Sequence, residues 1–231
     1  MSVFHNIKLV FVRIPKTAST TINESLYSMD CYAKYFTNTA TQHKNIERNK
    51  HETIKEILSN YENSFLDDYY KVAFVRNPWS WVVSYYHYLS RSSDIIIKDG
   101  VFTHSKLRQM KQNIKNTSFS DFLRIVEEKV ISENGGSQAD NPFRPQHEYI
   151  IKEGKNILVD FIGKYENLNN DWKFLYNKLK LDQYDIRNQH VNLSHKNISN
   201  TGDYRTHYCD EDIERVSAIY KKDIDFFDYS F

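Results

Sequence analysis

Residues 13–21 place a lysine among several hydroxyl side chains in a segment without glycine. The segment runs Arg13-Ile14-Pro15-Lys16-Thr17-Ala18-Ser19-Thr20-Thr21. It connects a short apolar run to residues with helical spacing, so its backbone N–H groups are expected at a helix N-terminus, where the helix dipole favours an anion. The lysine adds a positive charge, and the Ser and Thr hydroxyls add hydrogen-bond donors. The segment therefore predicts a phosphate or sulfate site. The simpler alternative is a helix start capped by its own Ser and Thr residues.

A second candidate anion site combines Arg76 with Ser84, eight positions later. Arg76 follows the apolar run 70–75, and Ser84 lies within the helix that Asn77-Pro78 is expected to open. Ligands of open α/β sheets bind at the carboxyl ends of the strands, and an arginine fork beside a hydroxyl can hold a phosphate there. The simpler alternative is that Arg76 pairs with a carboxylate and Ser84 is a small packing residue.

Apolar runs and helical spacing predict the elements that position these residues. Residues 7–12, 70–75 and 157–162 have the composition of short buried strands. Amphipathic helices are predicted around residues 22–29, 53–59, 78–86, 119–126, 171–181 and 210–220, with Ser118 or Ser120 capping the fourth. Strands that alternate with helices indicate right-handed crossovers in a parallel sheet. We therefore expect one α/β domain over residues 1–231, with a central parallel sheet flanked by helices.

The composition fits a folded globular protein and argues against nucleic-acid binding. The chain has 231 residues, is 40% hydrophobic and 26% charged, and carries a net charge of +1, whereas nucleic-acid binders usually show a strong basic excess. Cys31 and Cys209 have no His or Cys partner at metal-ligand spacing, so neither a disulfide scaffold nor a metal site is expected. Lys8 and Arg13 interrupt the N-terminal apolar stretch, which argues against a signal peptide or membrane span and predicts a cytoplasmic protein.

Both candidate anion sites resemble those of the sulfotransferase superfamily. Its 5′-phosphosulfate loop has the form Pro-Lys-Thr-x-x-Thr, as in residues 15–20, and its 3′-phosphate motif is Arg, seven residues, Ser, as in residues 76–84. The similarity is closest to the heparan sulfate and uronyl 2-O-sulfotransferases and to bacterial carbohydrate sulfotransferases, and it continues more weakly through residues 144–150, 162–168 and 220–229. The resemblance implies a P-loop-like sulfotransferase fold and the sulfuryl donor 3′-phosphoadenosine 5′-phosphosulfate (PAPS), which leaves adenosine 3′,5′-bisphosphate (PAP).

The resemblance also implies a role for each residue of the two motifs. The residues that would hold the 5′-phosphosulfate are Arg13, Lys16, Thr17, Ala18, Ser19, Thr20 and Thr21. Lys16 would in addition neutralise the negative charge that develops on the departing oxygen during transfer. Arg76 and Ser84 would hold the 3′-phosphate. No metal is required by this scheme.

A histidine is expected to remove the proton of the acceptor hydroxyl, because its unperturbed pKa of about 6.5 lies near neutrality. The 2-O-sulfotransferases place their catalytic histidine shortly before the 3′-phosphate strand, and His51 occupies that place here. His43 is the alternative, since some sulfotransferases have their base closer to the loop helix. Asn49 stands where that family has a second histidine, and Trp81 where many relatives have arginine, so the acceptor stays open.

The acceptor implied by the resemblance is a carbohydrate. The segment from Ser93 to Thr117 has five basic residues and only two acidic ones, which favours an anionic or uronate-containing glycan. The basic residues are Lys98, Lys106, Arg108, Lys111 and Lys115. The simpler alternative is a solvated helix face or loop. Two other functions compete: a P-loop-like nucleotide-dependent kinase, which usually needs a glycine-rich loop and magnesium, and a non-catalytic domain that binds PAP or a glycan.

Overall fold

A computed structural model gives the fold of the chain. It describes residues 2–37, 51–62, 64–90, 114, 116–132, 141–151, 156–185, 189–193 and 202–231. The chain divides into two compact units. The sheet unit comprises Met1–Arg76 and Gln146–Ile198, and the helical unit comprises Asn77–Pro145 and Ser199–Phe231. The single-domain assignment over residues 1–231 stays a prediction.

The strands described by the structure form one four-stranded sheet, in the order β1-β2-β3-β4. They are β1 Val3–Phe4, β2 Leu9–Val12, β3 Tyr70–Val75 and β4 Phe161–Lys164. Strand β1 is antiparallel to β2, whereas β2, β3 and β4 run parallel to one another. The carboxyl ends of β2, β3 and β4 therefore lie at the same edge of the sheet.

The α-helices of the described residues follow the order expected for an α/β chain. They are α1 Ser19–Thr37, α2 Ile54–Ser59, α3 Pro78–Ser90, α4 Phe119–Ser132, α5 Leu168–Lys178, α6 Asp210–Ile219 and α7 Lys221–Phe227. Helix α2 begins with a capping box, in which Thr53 and Glu56 each accept a hydrogen bond from the other's backbone N–H. Among all the residues that the structure describes, none of the helices is long and apolar enough to cross a membrane.

The core of the sheet unit lies between the sheet, α1 and α5. Ile22, Leu26 and Met29, whose spacing predicted α1, are fully buried there. The strands supply Leu9, Phe11, Val72 and Phe74, and α5 supplies Leu168, Trp172 and Leu175. These contacts fix where β2 and α1 begin and end, and so fix the loop that joins them.

The helical unit has a separate aromatic core. Trp81 is fully buried, with its ring in edge contact with Tyr85 and Tyr220. The Asn77 carboxamide oxygen accepts hydrogen bonds from the backbone N–H groups of Trp79 and Ser80, which caps α3. In α4, the Ser118 hydroxyl oxygen accepts from the Asp121 N–H, so Ser118 is the cap.

The predicted α/β class, with a mostly parallel central sheet flanked by helices, is confirmed. The strand at residues 70–75 is correct to the residue, whereas the strand predicted at 157–162 is wrong in its bounds and begins at Phe161. Ile157 instead forms an isolated bridge with Ile151, and the Asp160 carboxylate accepts a hydrogen bond from the Lys71 N–H just before the ladder starts. The strand predicted at 7–12 is β2, which begins only at Leu9, because Lys8 has a left-handed φ of 47°.

Gly163 pairs with Phe74 across β3 and β4, and an added Cβ would lie 2.3 Å from Cε1 of that ring. We expect Gly163→Ala to lower the free energy of unfolding by about 1–3 kcal/mol, because the buried ring has to move. Urea unfolding measures the change. In a Phe74→Ala background the same substitution should cost much less, since the obstructing ring is gone. Equal costs in the two backgrounds would contradict this account.

Candidate active site

The candidate site lies in the sheet unit, where three parallel strands end side by side. Arg13 follows β2, Arg76 follows β3 and Tyr165 follows β4. The carboxyl edge of a parallel sheet is the usual place for a ligand in α/β folds. The predicted anion-binding loop is therefore at the edge where a ligand is expected.

The loop between β2 and α1 has an unusual backbone. Lys16 and Ala18 have left-handed φ angles of 63° and 61°, while Thr17 between them does not have a positive φ. A left-handed non-glycine residue costs on the order of 1–3 kcal/mol, so the surrounding structure has to impose it. The buried Thr17 hydroxyl donates to the Ile14 carbonyl at 3.0 Å and closes the loop on itself. Successive N–H groups of a tight turn can converge on one point and form an anion-binding concavity.

The predicted phosphosulfate residues differ in their exposure. Thr17, Ser19 and Thr21 are buried, Lys16 and Ala18 are half-buried, and Thr20 is exposed. All of them belong to the loop or to the first turn of α1, so the structure brings this part of the predicted site together. Their assignment to the phosphosulfate stays a prediction.

Arg13 carries a buried positive charge at the start of the loop. Its side chain is 4% exposed, and its Nε has no hydrogen-bond partner among the described residues. Burial lowers the pKa of the guanidinium, although an arginine still keeps its proton at neutral pH. A buried charge is costly unless an opposite charge or hydrogen-bond acceptor meets it. The Arg13 side chain is therefore suited to an anionic ligand.

Arg76 is fixed from several sides within the sheet unit. Its guanidinium Nη1 donates to the Lys16 carbonyl at 3.3 Å, and its Cζ lies 4.1 Å from the centroid of the Tyr165 ring. The Gln146 carboxamide pairs with the Arg76 backbone, accepting from its N–H at 2.8 Å and donating to its carbonyl at 2.7 Å. A hydrogen bond thus connects Arg76 to the loop between β2 and α1.

Gln146 and Tyr165, two residues that contact Arg76, were not among the predicted site residues. Both lie in segments of weaker resemblance, 144–150 and 162–168, which gave them no individual role. Tyr165 directly follows β4, as Arg13 and Arg76 follow β2 and β3, but the predicted run ended at residue 162 and did not point to it. Gln146 gave no signal either, because its hydrogen-bond partner, Arg76, lies 70 positions away in the sequence.

His51 lies beside the loop. Its Nδ1 is 2.6 Å from the Arg13 carbonyl oxygen. Because a carbonyl can only accept, Nδ1 carries the proton, and Nε2 is the acceptor nitrogen of the neutral ring. The alternative base His43 lies outside the described residues, as do Lys98, Lys106, Arg108, Lys111 and Lys115.

Ser84 and Trp81 lie on α3 in the helical unit. Ser84 is 4% exposed, and its pairing with Arg76 at a 3′-phosphate stays a prediction. Trp81 belongs to the aromatic core of that unit.

Comparison with known proteins supports one family. The sequence model of the Sulfotransferase family matches residues 1–230. No curated protein and no solved structure gives a significant match. The matched range contains both predicted anion-binding motifs and His51, and it spans nearly the whole chain. The chain therefore belongs to the sulfotransferase family.

Proposed function

We propose that this transferase moves the sulfuryl group of PAPS to a hydroxyl group of a carbohydrate. Membership of the sulfotransferase family supports sulfuryl transfer. The observation that carries the proposal is the loop after β2, with left-handed Lys16 and Ala18 and with the buried residue Arg13 at its start. Such a loop can bind an anion although it lacks the glycines of a Walker A motif. It also contains no carboxylate that could ligate magnesium.

The donor set fits a ligand with two anionic ends. Arg13 and the loop residues 16–21 would hold the phosphosulfate end, since they offer backbone N–H groups, hydroxyls and two cationic side chains. Arg76 and Ser84 would hold the 3′-phosphate, as the Arg-x₇-Ser spacing predicts. PAPS, when bound, supplies an activated sulfuryl group. Lys16 keeps a positive charge where negative charge develops on the departing oxygen.

His51 is the proposed general base. Its Nδ1–H donates to the Arg13 carbonyl, which selects the tautomer with Nε2 as the acceptor. The proton of the sugar hydroxyl would move to Nε2 as the hydroxyl oxygen bonds to sulfur and the bond from sulfur to the bridging oxygen of PAPS breaks, which would release PAP. The same carbonyl would stabilise the imidazolium that results. A hydrogen bond joins this base to the first residue of the loop, which would hold the proton acceptor close to the proposed anion site.

Arg76→Ala should weaken PAP binding by about 10-fold or more, because one charge-assisted hydrogen bond is worth about 1.5–3 kcal/mol. Isothermal titration calorimetry with PAP gives the dissociation constant. Arg76→Lys keeps the charge but loses the planar fork, and should fall between wild type and Arg76→Ala. Wild-type affinity in Arg76→Ala would remove Arg76 from the nucleotide site.

Transfer from ³⁵S-labelled PAPS to a panel of acceptors tests the proposed function. The panel contains uronate-bearing glycans, neutral sugars, a phenol and a tyrosine peptide, all with EDTA present. We expect the label to appear in a glycan. If lysines and arginines attract an anionic acceptor, the acceptor KM should rise with ionic strength, because salt screens that attraction. Faster labelling of a phenol or peptide than of every glycan would contradict the carbohydrate assignment. PAP binding without any labelled product would favour the non-catalytic alternative.

A further inference from the structure

Gln146 extends the hydrogen bonding of β3 by one residue. The last pair in the β3–β4 ladder is Val75 with Lys164, so Arg76 lies beyond it. The Gln146 carboxamide offers the Arg76 backbone one acceptor and one donor, as a neighbouring strand would. Gln146 is 0% exposed, so water does not compete for these bonds. The backbone of Arg76 is thereby fixed at the point where its side chain leaves the sheet.

Tyr165 fixes the other end of the same residue. The Arg76 Cζ lies 4.1 Å from the centroid of its ring, well within the distance of a cation–π contact. With backbone and guanidinium both held, Nη1 reaches the Lys16 carbonyl. Lys16 has a φ of 63°, a conformation that a lysine does not adopt without support. Arg76 thus supplies one of the contacts that hold the loop in its anion-binding shape.

We propose that Gln146 and Tyr165 are positioning residues, which act through Arg76 to set the geometry of Lys16. This inference rests on the proposed function, since it assigns these residues to the same PAPS site. It differs from a purely structural role, in which Gln146 only satisfies two buried backbone groups. A structural role affects the stability of the fold, whereas a positioning role affects PAP affinity and turnover in protein that remains folded.

The substitutions that separate the two roles are Gln146→Met and Tyr165→Leu. Gln146→Met keeps a similar volume and removes both hydrogen bonds. Tyr165→Leu removes the ring at a half-buried position, so the variant should fold even if Gln146→Met does not. Tyr165→Phe keeps the ring and serves as the conservative control. Tyr176→Phe removes a buried hydrogen bond to Asp185 elsewhere in the sheet unit and serves as the stability control.

The measurements are the Kd for PAP, kcat with labelled PAPS and the urea midpoint of each variant. We expect Gln146→Met and Tyr165→Leu to weaken PAP binding and lower kcat by about 10-fold each, since a misplacement of about 1 Å can cost 10²-fold. Tyr165→Phe and Tyr176→Phe should stay within about twofold of wild type in both. PAP affinity and kcat near wild type in Tyr165→Leu, with only the urea midpoint lowered in Gln146→Met, would overturn the positioning role alone. A wild-type protein that binds no PAP would overturn the proposed function as well.

Discussion

Lys16→Ala is expected to lower kcat by about 10²-fold or more, because in the proposed mechanism it removes a preorganised positive charge from the place where negative charge develops. Lys16 is half-buried in a loop whose backbone is held by Thr17 and Arg76. The backbone from which its side chain extends is therefore fixed before transfer begins. Steady-state kinetics with labelled PAPS at saturating acceptor measures the change.

Two controls separate the charge of Lys16 from its conformation. Lys34→Ala removes an exposed lysine from the last turn of α1 and should leave kcat unchanged. Lys16→Gly relaxes the left-handed backbone as well as removing the charge, so it should lose as much kcat as Lys16→Ala. A Lys16→Ala variant with near-normal kcat would contradict the proposed role of this lysine.

His51→Ala should lower kcat by about 10² to 10⁴-fold, the range typical for loss of a general base, while the affinity for PAP stays close to wild type. In the proposed mechanism the base contacts the acceptor hydroxyl and has no need to touch the nucleotide. PAP titration and product formation from labelled PAPS, measured on the same preparation, give the two quantities.

His51→Asn distinguishes proton transfer from support of the loop. An asparagine amide can still donate to the Arg13 carbonyl in place of Nδ1, but it offers no nitrogen in place of Nε2. If His51 is the base, the asparagine variant should be as inactive as His51→Ala. Activity restored by His51→Asn would mean that His51 serves only to hold Arg13. An inactive His43→Ala variant beside an active His51→Ala variant would transfer the role to His43.

The sequence patterns that succeeded are those set by neighbouring residues. The strand at 70–75 was predicted to the residue, because its apolar run is bounded by Asp67 and Asp68 on one side and Asn77-Pro78 on the other. The loop between β2 and α1 was located because cationic and hydroxyl side chains stand together between an apolar run and a helical pattern. Local composition determines both features.

The features that sequence could not supply depend on partners far along the chain. Apolar residues begin at Ile157, yet the ladder with β3 begins only at Phe161, since Ile157 pairs with Ile151 instead. The left-handed Lys16 breaks the usual preference of non-glycine residues and is stabilised by contacts that include Arg76. The bond from His51 to the Arg13 carbonyl likewise joins residues 38 positions apart. None of these pairings has a local signature.

Binding of PAP in the presence of EDTA tests the central claim most directly. A ligand that binds only the folded state stabilises it by about 2.7 kcal/mol at a concentration of 100 times Kd, so the melting temperature should rise with PAP concentration. We predict this rise without any divalent metal, and a smaller rise with adenosine 5′-monophosphate, which lacks the 3′-phosphate. No rise with saturating PAP, together with a magnesium-dependent rise with ATP, would contradict the account and favour a kinase.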